Sequence, residues 1–397
     1  MKILMIHTGG TISCKYENGV LTPRADIAPT IEKTFENYRD VSFVHKHLCS
    51  VLSESTDGVI LTKIVSAVKK YVLSEKYDGV TVTLGSDALA YVSAAISYSV
   101  GLSKTPCITV CSDLPLSDKD ASGHRNIKAA VAVIRSRSAN GTLCVYPKDD
   151  GEVSVFRASR IMQQPAYFST PVPVGELYGT VKDGEFIKNE SYKELPDSSL
   201  IEKPYFSPFS PVMLLSVYPG MIYPSIPKKI KAVILGTYHS GTLNTDSKET
   251  VKFARSCKKK GVRVYVSGIS DGADYESMRP YSELGFIRLP ICSSPSAMLI
   301  KLWMLNSKAK NFSDDGLFRS LGGDITEEAS TPFKADKNAS SRDINNENTA
   351  DGGLKVNASK CIFSVKSKNT CDSEIKASTD AGSKDAPETP VIYTEGK

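Results

Sequence analysis

A chain of 397 residues, 41% apolar and 23% charged, has the composition of a soluble protein with a sizeable core and room for two domains. Its formal net charge of +5 is modest, and its Lys and Arg are scattered or fall on helix faces, which excludes a nucleic-acid stripe. No apolar run approaches the roughly 20 residues of a membrane span, and Met1-Lys2-Ile3 begins a strand directly with no signal-peptide pattern.

Ile3 to Ile6 reads as a buried strand that ends in Thr8-Gly9-Gly10-Thr11. Glycines there let the backbone turn sharply and approach a ligand, so Thr11 arrives at the carboxyl edge of a sheet, where open α/β folds bind ligands. A polar loop is predicted from Ser13 to Arg24, then a helix from Asp26 to about Tyr38 and a strand over Val41 to Leu48. Asp57 caps a helix that runs to Tyr77, with Val59, Ile60, Ile64, Val65 and Val68 on one face. Val80 to Leu84 is the next strand, followed by a small-residue helix from Ser86 to Val100. Pro106 to Cys111 and Thr142 to Tyr146 are further strands around a helix near Arg125 to Arg137. This alternation predicts a parallel sheet covered on both faces.

From about Asn189 to Pro211 the chain turns polar and Pro-rich, as a linker would. A smaller α/β unit follows, with strands at Val212 to Val217, Ala232 to Leu235 and Val262 to Val266, a helix at Ser247 to Lys259 and a closing helix from Ser294 to Leu305 that buries Trp303. The predicted fold is therefore α/β, with a larger, mostly parallel N-terminal sheet flanked by helices and a smaller C-terminal α/β domain. The division is residues 1–190, a linker at 191–211, the second domain at 212–325 and a tail at 326–397. The tail is rich in Ser, Thr, Asn, Asp, Lys and Ala, which cannot bury enough surface to offset its ordering entropy, and it is predicted to be disordered.

The nine cysteines stand singly, with no Cys-x-x-Cys pair, which predicts reduced thiols and a cytoplasmic setting. The five histidines make no zinc spacing. His45 and His47 share a strand face without a third ligand nearby, so no metal is predicted.

Leu84-Gly85-Ser86-Asp87-Ala88 repeats the opening theme, a strand ending in glycine followed by a hydroxyl and a carboxylate. Ser86 suits a helix N-cap and Asp87 the positive end of the helix dipole. The other reading brings Ser86 and Asp87 to the sheet edge beside Thr11. Two hydroxyls and a carboxylate there suit acyl transfer, with backbone N–H groups near the glycines holding an oxyanion.

Thr8-Gly9-Gly10-Thr11-Ile12 and Leu84-Gly85-Ser86-Asp87-Ala88 together resemble the paired signature of the bacterial-type L-asparaginase/glutaminase family, closest in pattern to its cytoplasmic type I enzymes. Ser53-Glu54-Ser55, Cys111 to Gly123, Phe156 to Arg160 and Gly236 to Gly241 follow in the family's order. The resemblance implies a homodimer or homotetramer, no cofactor or metal, and a small amino-acid amide as substrate, with no nucleic acid or membrane partner. It implies that Thr11 attacks the side-chain amide of L-asparagine, releasing ammonia and, after hydrolysis, L-aspartate. Ser86 replaces the second-motif threonine, and Asp87 binds the substrate amino group and supports proton transfer. Ser53 and Glu54 hold the amino-acid end, while Gly10 and Gly85 form the pocket floor.

Three departures fall on catalytic parts. Family members use a relay lysine, yet residues 149 to 181 contain none. The matching position is Gln163 or Arg160; neither is a base, although Arg160 suits a fork that would hold Asp87 ionised. The lid tyrosine aligns with Val20 and Leu21, leaving Tyr16 earlier in the loop. Ala121-Ser122-Gly123 lacks the usual aspartate. Besides the hydrolase, these losses favour an amino-acid-binding homologue without efficient turnover. An ammonia-producing component of a tRNA-dependent amidotransferase is a third reading; a start at the first motif, without the extra N-terminal domain of such components, weighs against it.

Overall fold

The computed structural model describes residues 1–23, 26–148, 150–164, 170–194, 199–268, 275–290 and 293–326. Apart from Thr326, the predicted tail lies outside the described residues.

The first lobe contains β1 (Lys2–Gly9), β2 (Cys14–Glu17), β3 (Val20–Pro23), α1 (Ala28–Thr34), β4 (Ser42–Val51), α2 (Gly58–Val72), β5 (Gly79–Thr83), α3 (Leu89–Val100), β6 (Cys107–Val110), α4 (Ser122–Arg135), β7 (Thr142–Pro147), β8 (Val153–Arg157), β9 (Ile161–Met162), β10 (Val172–Pro173), β11 (Gly179–Lys182) and β12 (Glu185–Lys188). Eight of these strands form one sheet in the order β12-β11-β8-β7-β6-β5-β1-β4. Neighbours from β4 to β7 run parallel, and β8, β11 and β12 complete the sheet antiparallel. Every residue of β5 is buried, as expected of a parallel strand covered on both faces. Leu4 and Ile6 of β1 pack under α2 and α3, while Ile3 and Met5 face α1 and α4. The chain between Lys182 and Glu185 turns through Asp183 and Gly184, both at positive φ, the conformation a tight two-residue hairpin requires.

The loop predicted from Ser13 onward is instead a hairpin, β2 against β3, with Cys14 opposite Pro23 and Tyr16 opposite Leu21. Its turn is Asn18-Gly19, again with both residues at positive φ. Asn-Gly is the strongest short hairpin signal, and polar Lys15 and Glu17 masked it by giving the stretch a loop-like composition. The helix predicted from Asp26 to Tyr38 is shorter, seven residues from Ala28 to Thr34. Asp57 caps α2 as expected, accepting from the Ile60 N–H at 2.9 Å.

The second lobe is a parallel sheet in the order β13 (Val212–Leu215), β14 (Ala232–Gly236), β15 (Arg263–Ser267) and β16 (Phe286–Arg288), with α5 (Lys248–Lys260) and α6 (Pro295–Asn306). Ser247 caps α5, and Gly261 closes it in the left-handed conformation. Ser294 caps α6 and also donates to the Ile161 carbonyl of the first lobe at 2.8 Å.

α6 has no polar face. Ala297, Ile300, Trp303 and Met304 join the core around α2 and α3, while Met298 and Leu302 join the core of the second sheet. α3 is likewise buried at every position except Tyr91, and its run of Ser and Ala lets neighbouring elements approach closely. Within the stretch expected to link the lobes, Ile201 donates its N–H to the Tyr98 carbonyl, and Phe206 packs edge-on against Trp303 at 5.1 Å. Among the described residues no helix is long and apolar enough to cross a membrane.

Candidate active site

The turns after β1 and β5 are built against each other. Gly9 and Gly10 have φ of 107° and 75°, which L residues with a side chain rarely adopt. A Cβ on Gly10 would overlap the Gly85 backbone, and a Cβ on Gly85 would overlap the Ser53 side chain. Three chain segments, residues 8–11, 84–87 and 51–55, therefore converge with no spare room between them. Behind Gly85 the space lined by Thr8, Val51, Ser53 and Leu84 is about 10 Å³, too small to hold more than one water. The floor is solid.

Hydrogen bonds fix this junction. Thr8 Oγ1 donates to the Thr83 carbonyl at 2.7 Å, and the Gly10 N–H donates to the Val51 carbonyl at 2.8 Å. Ser53 Oγ donates to Asp87 Oδ2 at 2.7 Å, tying the loop after β4 to the second motif. Thr11 is half-buried in a short 3₁₀ turn, Thr11–Ser13. Ser86 opens another 3₁₀ turn, Ser86–Ala88, and makes no capping bond; Ala88 takes the N-cap position of α3. The capping role expected of Ser86 is thus not realised, because one extra turn intervenes before the helix. Glu54 is exposed on the 3₁₀ turn Ser53–Ser55. The Gly10 N–H is committed to Val51 and is not free to act as an oxyanion donor.

Arg160 does not reach Asp87. Its guanidinium donates to the carbonyls of Gly323 at 2.6 Å, Lys193 at 3.1 Å and Ile325 at 3.3 Å. Arg157 is also consumed structurally, pairing with Glu194 at 2.9 Å and donating to the Asn140 carbonyl at 2.8 Å. The fork expected on Asp87 holds down the returning segment 322–325 instead. Gln163, the other position matched to the relay lysine, has a buried Oε1 with no hydrogen-bond partner among the described residues.

Two groups near the site escaped the sequence reading. Asp113, after β6, accepts from the Ser122 hydroxyl at 2.6 Å and the Ser122 N–H at 2.9 Å. A carboxylate thus meets the start of α4 although Ala121-Ser122-Gly123 has none. Burial opposes its charge, but the Ser122 and Leu114 donors outweigh that and hold the carboxyl below its usual range. His7 is buried between His45 and Thr83, bonded to both. Its proximity to His45 was not readable from the strand pattern alone, which paired His45 with His47.

A parallel sheet whose carboxyl edge gathers threonine, serine and aspartate from interlocked glycine turns defines an asparaginase-like amidohydrolase fold. Residues 2–168 match the family described as asparaginase, N-terminal. It is 26% identical over 328 residues to the D component of the glutamyl-tRNA(Gln) amidotransferase of Sulfurisphaera tokodaii, covering 77% of this chain and 70% of that one. It is 30% identical over 144 residues to L-asparaginase of Thermococcus kodakarensis, covering 34% of this chain and 41% of that one. The solved structure of the thermostable L-asparaginase from Thermococcus kodakarensis shares the fold, with a TM-score of 0.65 at 19% identity over 82% of this chain and 100% of that one.

Proposed function

We propose that this protein hydrolyses the side-chain amide of a free amino acid, L-asparagine in the first instance, to L-aspartate and ammonia. Thr11 is the nucleophile. Its hydroxyl adds to the amide carbon, the tetrahedral intermediate expels ammonia, and water cleaves the resulting ester. Ser86 and Asp87 face this reaction from the second turn. Asp87, with Ser53 and Glu54, holds the amino-acid end, and Gly10 and Gly85 shape the floor. The observation that carries the reading is the Ser53–Asp87 hydrogen bond beneath the Gly10–Gly85 contact, which gathers both motif turns and the loop after β4. With Arg160 committed elsewhere and glutamine at position 163, neither position matched to the relay lysine supplies a base, so turnover is expected to be slow relative to enzymes that have it. A homodimer or homotetramer in the cytoplasm, working without metal or cofactor, completes the reading.

A second reading rests on the 26% identity with an amidotransferase component over 328 residues, and makes the chain an ammonia source for a partner. Ammonia release from L-asparagine and L-glutamine by the isolated protein, compared with Thr11→Ala, tests the hydrolysis that both readings require. Release abolished in the variant supports the hydrolase. Tight aspartate binding with no release from either amide would sink it.

A further inference from the structure

His7, Thr83, His45 and Glu32 form a chain of side chains across three adjacent strands and onto α1. Thr83 Oγ1 lies 3.2 Å from His7 Nδ1, His7 Nε2 lies 3.0 Å from His45 Nδ1, and His45 Nε2 lies 3.1 Å from Glu32 Oε1. The order of donors follows from the outer end. The Glu32 carboxylate can only accept, so His45 carries its proton on Nε2 and, when neutral, accepts at Nδ1. His7 must then donate from Nε2, which leaves Nδ1 bare to take the Thr83 hydroxyl proton. A carboxylate at the surface thereby sets which way a buried threonine points.

The inner end of this chain sits at the site. Thr83 is the last residue of β5 and is paired with His7 in the sheet register. Its hydroxyl is held by His7 on one face, and its carbonyl is held by Thr8 Oγ1 on the other. The ends of β1 and β5 are thus stitched on both faces, directly before the turns that carry Thr11 and Asp87. Those turns touch backbone to backbone and tolerate little slack, and displacements of about 1 Å can cost about 100-fold in rate.

We propose that His7 is a positioning residue: as a neutral imidazole oriented by His45 and Glu32, it fixes Thr83 and so sets the separation of the two glycine turns. The proposal rests on the amide-hydrolase reading of the site. The groups facing His7 agree with a neutral ring. Burial disfavours charge, His45 and His47 on β4 oppose it further, Asp26 ahead of α1 favours it, and β5 offers only the uncharged Thr83.

The test uses the full chain labelled with ¹⁵N-histidine. At about pH 8, His7 is expected to be neutral with its proton on Nε2. Thr83→Val keeps the shape and removes the hydroxyl. It is expected to lower kcat roughly tenfold with KM within about twofold, and to speed exchange of the Gly10 and Leu84 amide protons, which are hydrogen-bonded to Val51 and Val110 in the native protein; Thr83→Ser should restore both. A proton on Nδ1 at about pH 8, a charged His7 above about pH 6, or a folded Thr83→Val with wild-type kcat and exchange would overturn the proposal. If the wild type releases no ammonia, the hydrolase reading fails by itself, and the tautomer and exchange measurements still decide whether His7 sets the turns.

Discussion

Gly10 and Gly85 meet backbone to backbone, and neither has room for one added carbon. They differ in conformation, since Gly10 has a φ of 75° and Gly85 a φ of −86°. Gly85→Ala should therefore lose about 1–3 kcal/mol from collision with Ser53. Gly10→Ala should lose a further ~1 kcal/mol from backbone strain. Urea unfolding of both variants is expected to rank Gly10→Ala as the less stable, and both should lose ammonia release.

Ser53→Ala removes the hydroxyl that donates to Asp87 and leaves the backbone turn intact. Ser53 is half-buried, so stability should change by no more than about 0.5 kcal/mol. If Asp87 orients the amino group of the substrate, KM should rise roughly tenfold with a smaller change in kcat. An unchanged KM would separate Asp87 from substrate binding.

Burial and the neighbouring histidines lower the pKa of His7 to about 4, from 6.5 in an unstructured chain. The unfolded chain therefore binds the extra proton first as pH falls. The stabilisation is fully present above about pH 6.5, declines as pH drops, and is lost by about pH 4, amounting to about 3 kcal/mol across that window. Denaturant unfolding at a series of pH values should show this slope, and His7→Phe should flatten it. Equal slopes in the two proteins would mean that His7 does not titrate as buried.

Lys301 and Asp324 form an ion pair with both side chains fully buried, 2.9 Å apart, and Lys301 also donates to the Leu317 carbonyl at 2.9 Å. Lys301→Met would leave Asp324 charged and unpaired in the core, at a cost of about 3–5 kcal/mol. The double variant Lys301→Met with Asp324→Leu should recover much of that loss. Thermal unfolding of the single and double variants checks both statements.

The periodic strands, the capped helices and the two glycine motifs were legible in the sequence because each is set by neighbours a few residues apart. Asp57 at the start of α2 is such a case. The Asn18-Gly19 hairpin was legible too, but its polar flanks drew it into a loop. It places Tyr16 directly across from Leu21, one of the positions matched to the lid tyrosine. Arg160 was misread for a different reason. Its carbonyl partners Gly323 and Ile325 lie far along the chain, and no local pattern signals that the chain returns there. Asp113 shows the same limit on a smaller scale, since a carboxylate nine residues before Ser122 meets the turn that lacked one. Chemistry carried by spacing was readable, whereas chemistry carried by a returning segment was not.

α3 is surrounded by α2, by the turn after β8 and by α6, which belongs by sequence to the second lobe. Neither α3 nor α6 could face water if the lobes parted, because neither has a polar side to offer. The two sheets are consequently committed to a common fate on heating. They should melt in one calorimetric step, and a fragment that stops at residue 190 should behave as an aggregating intermediate, with no independent domain to stand on.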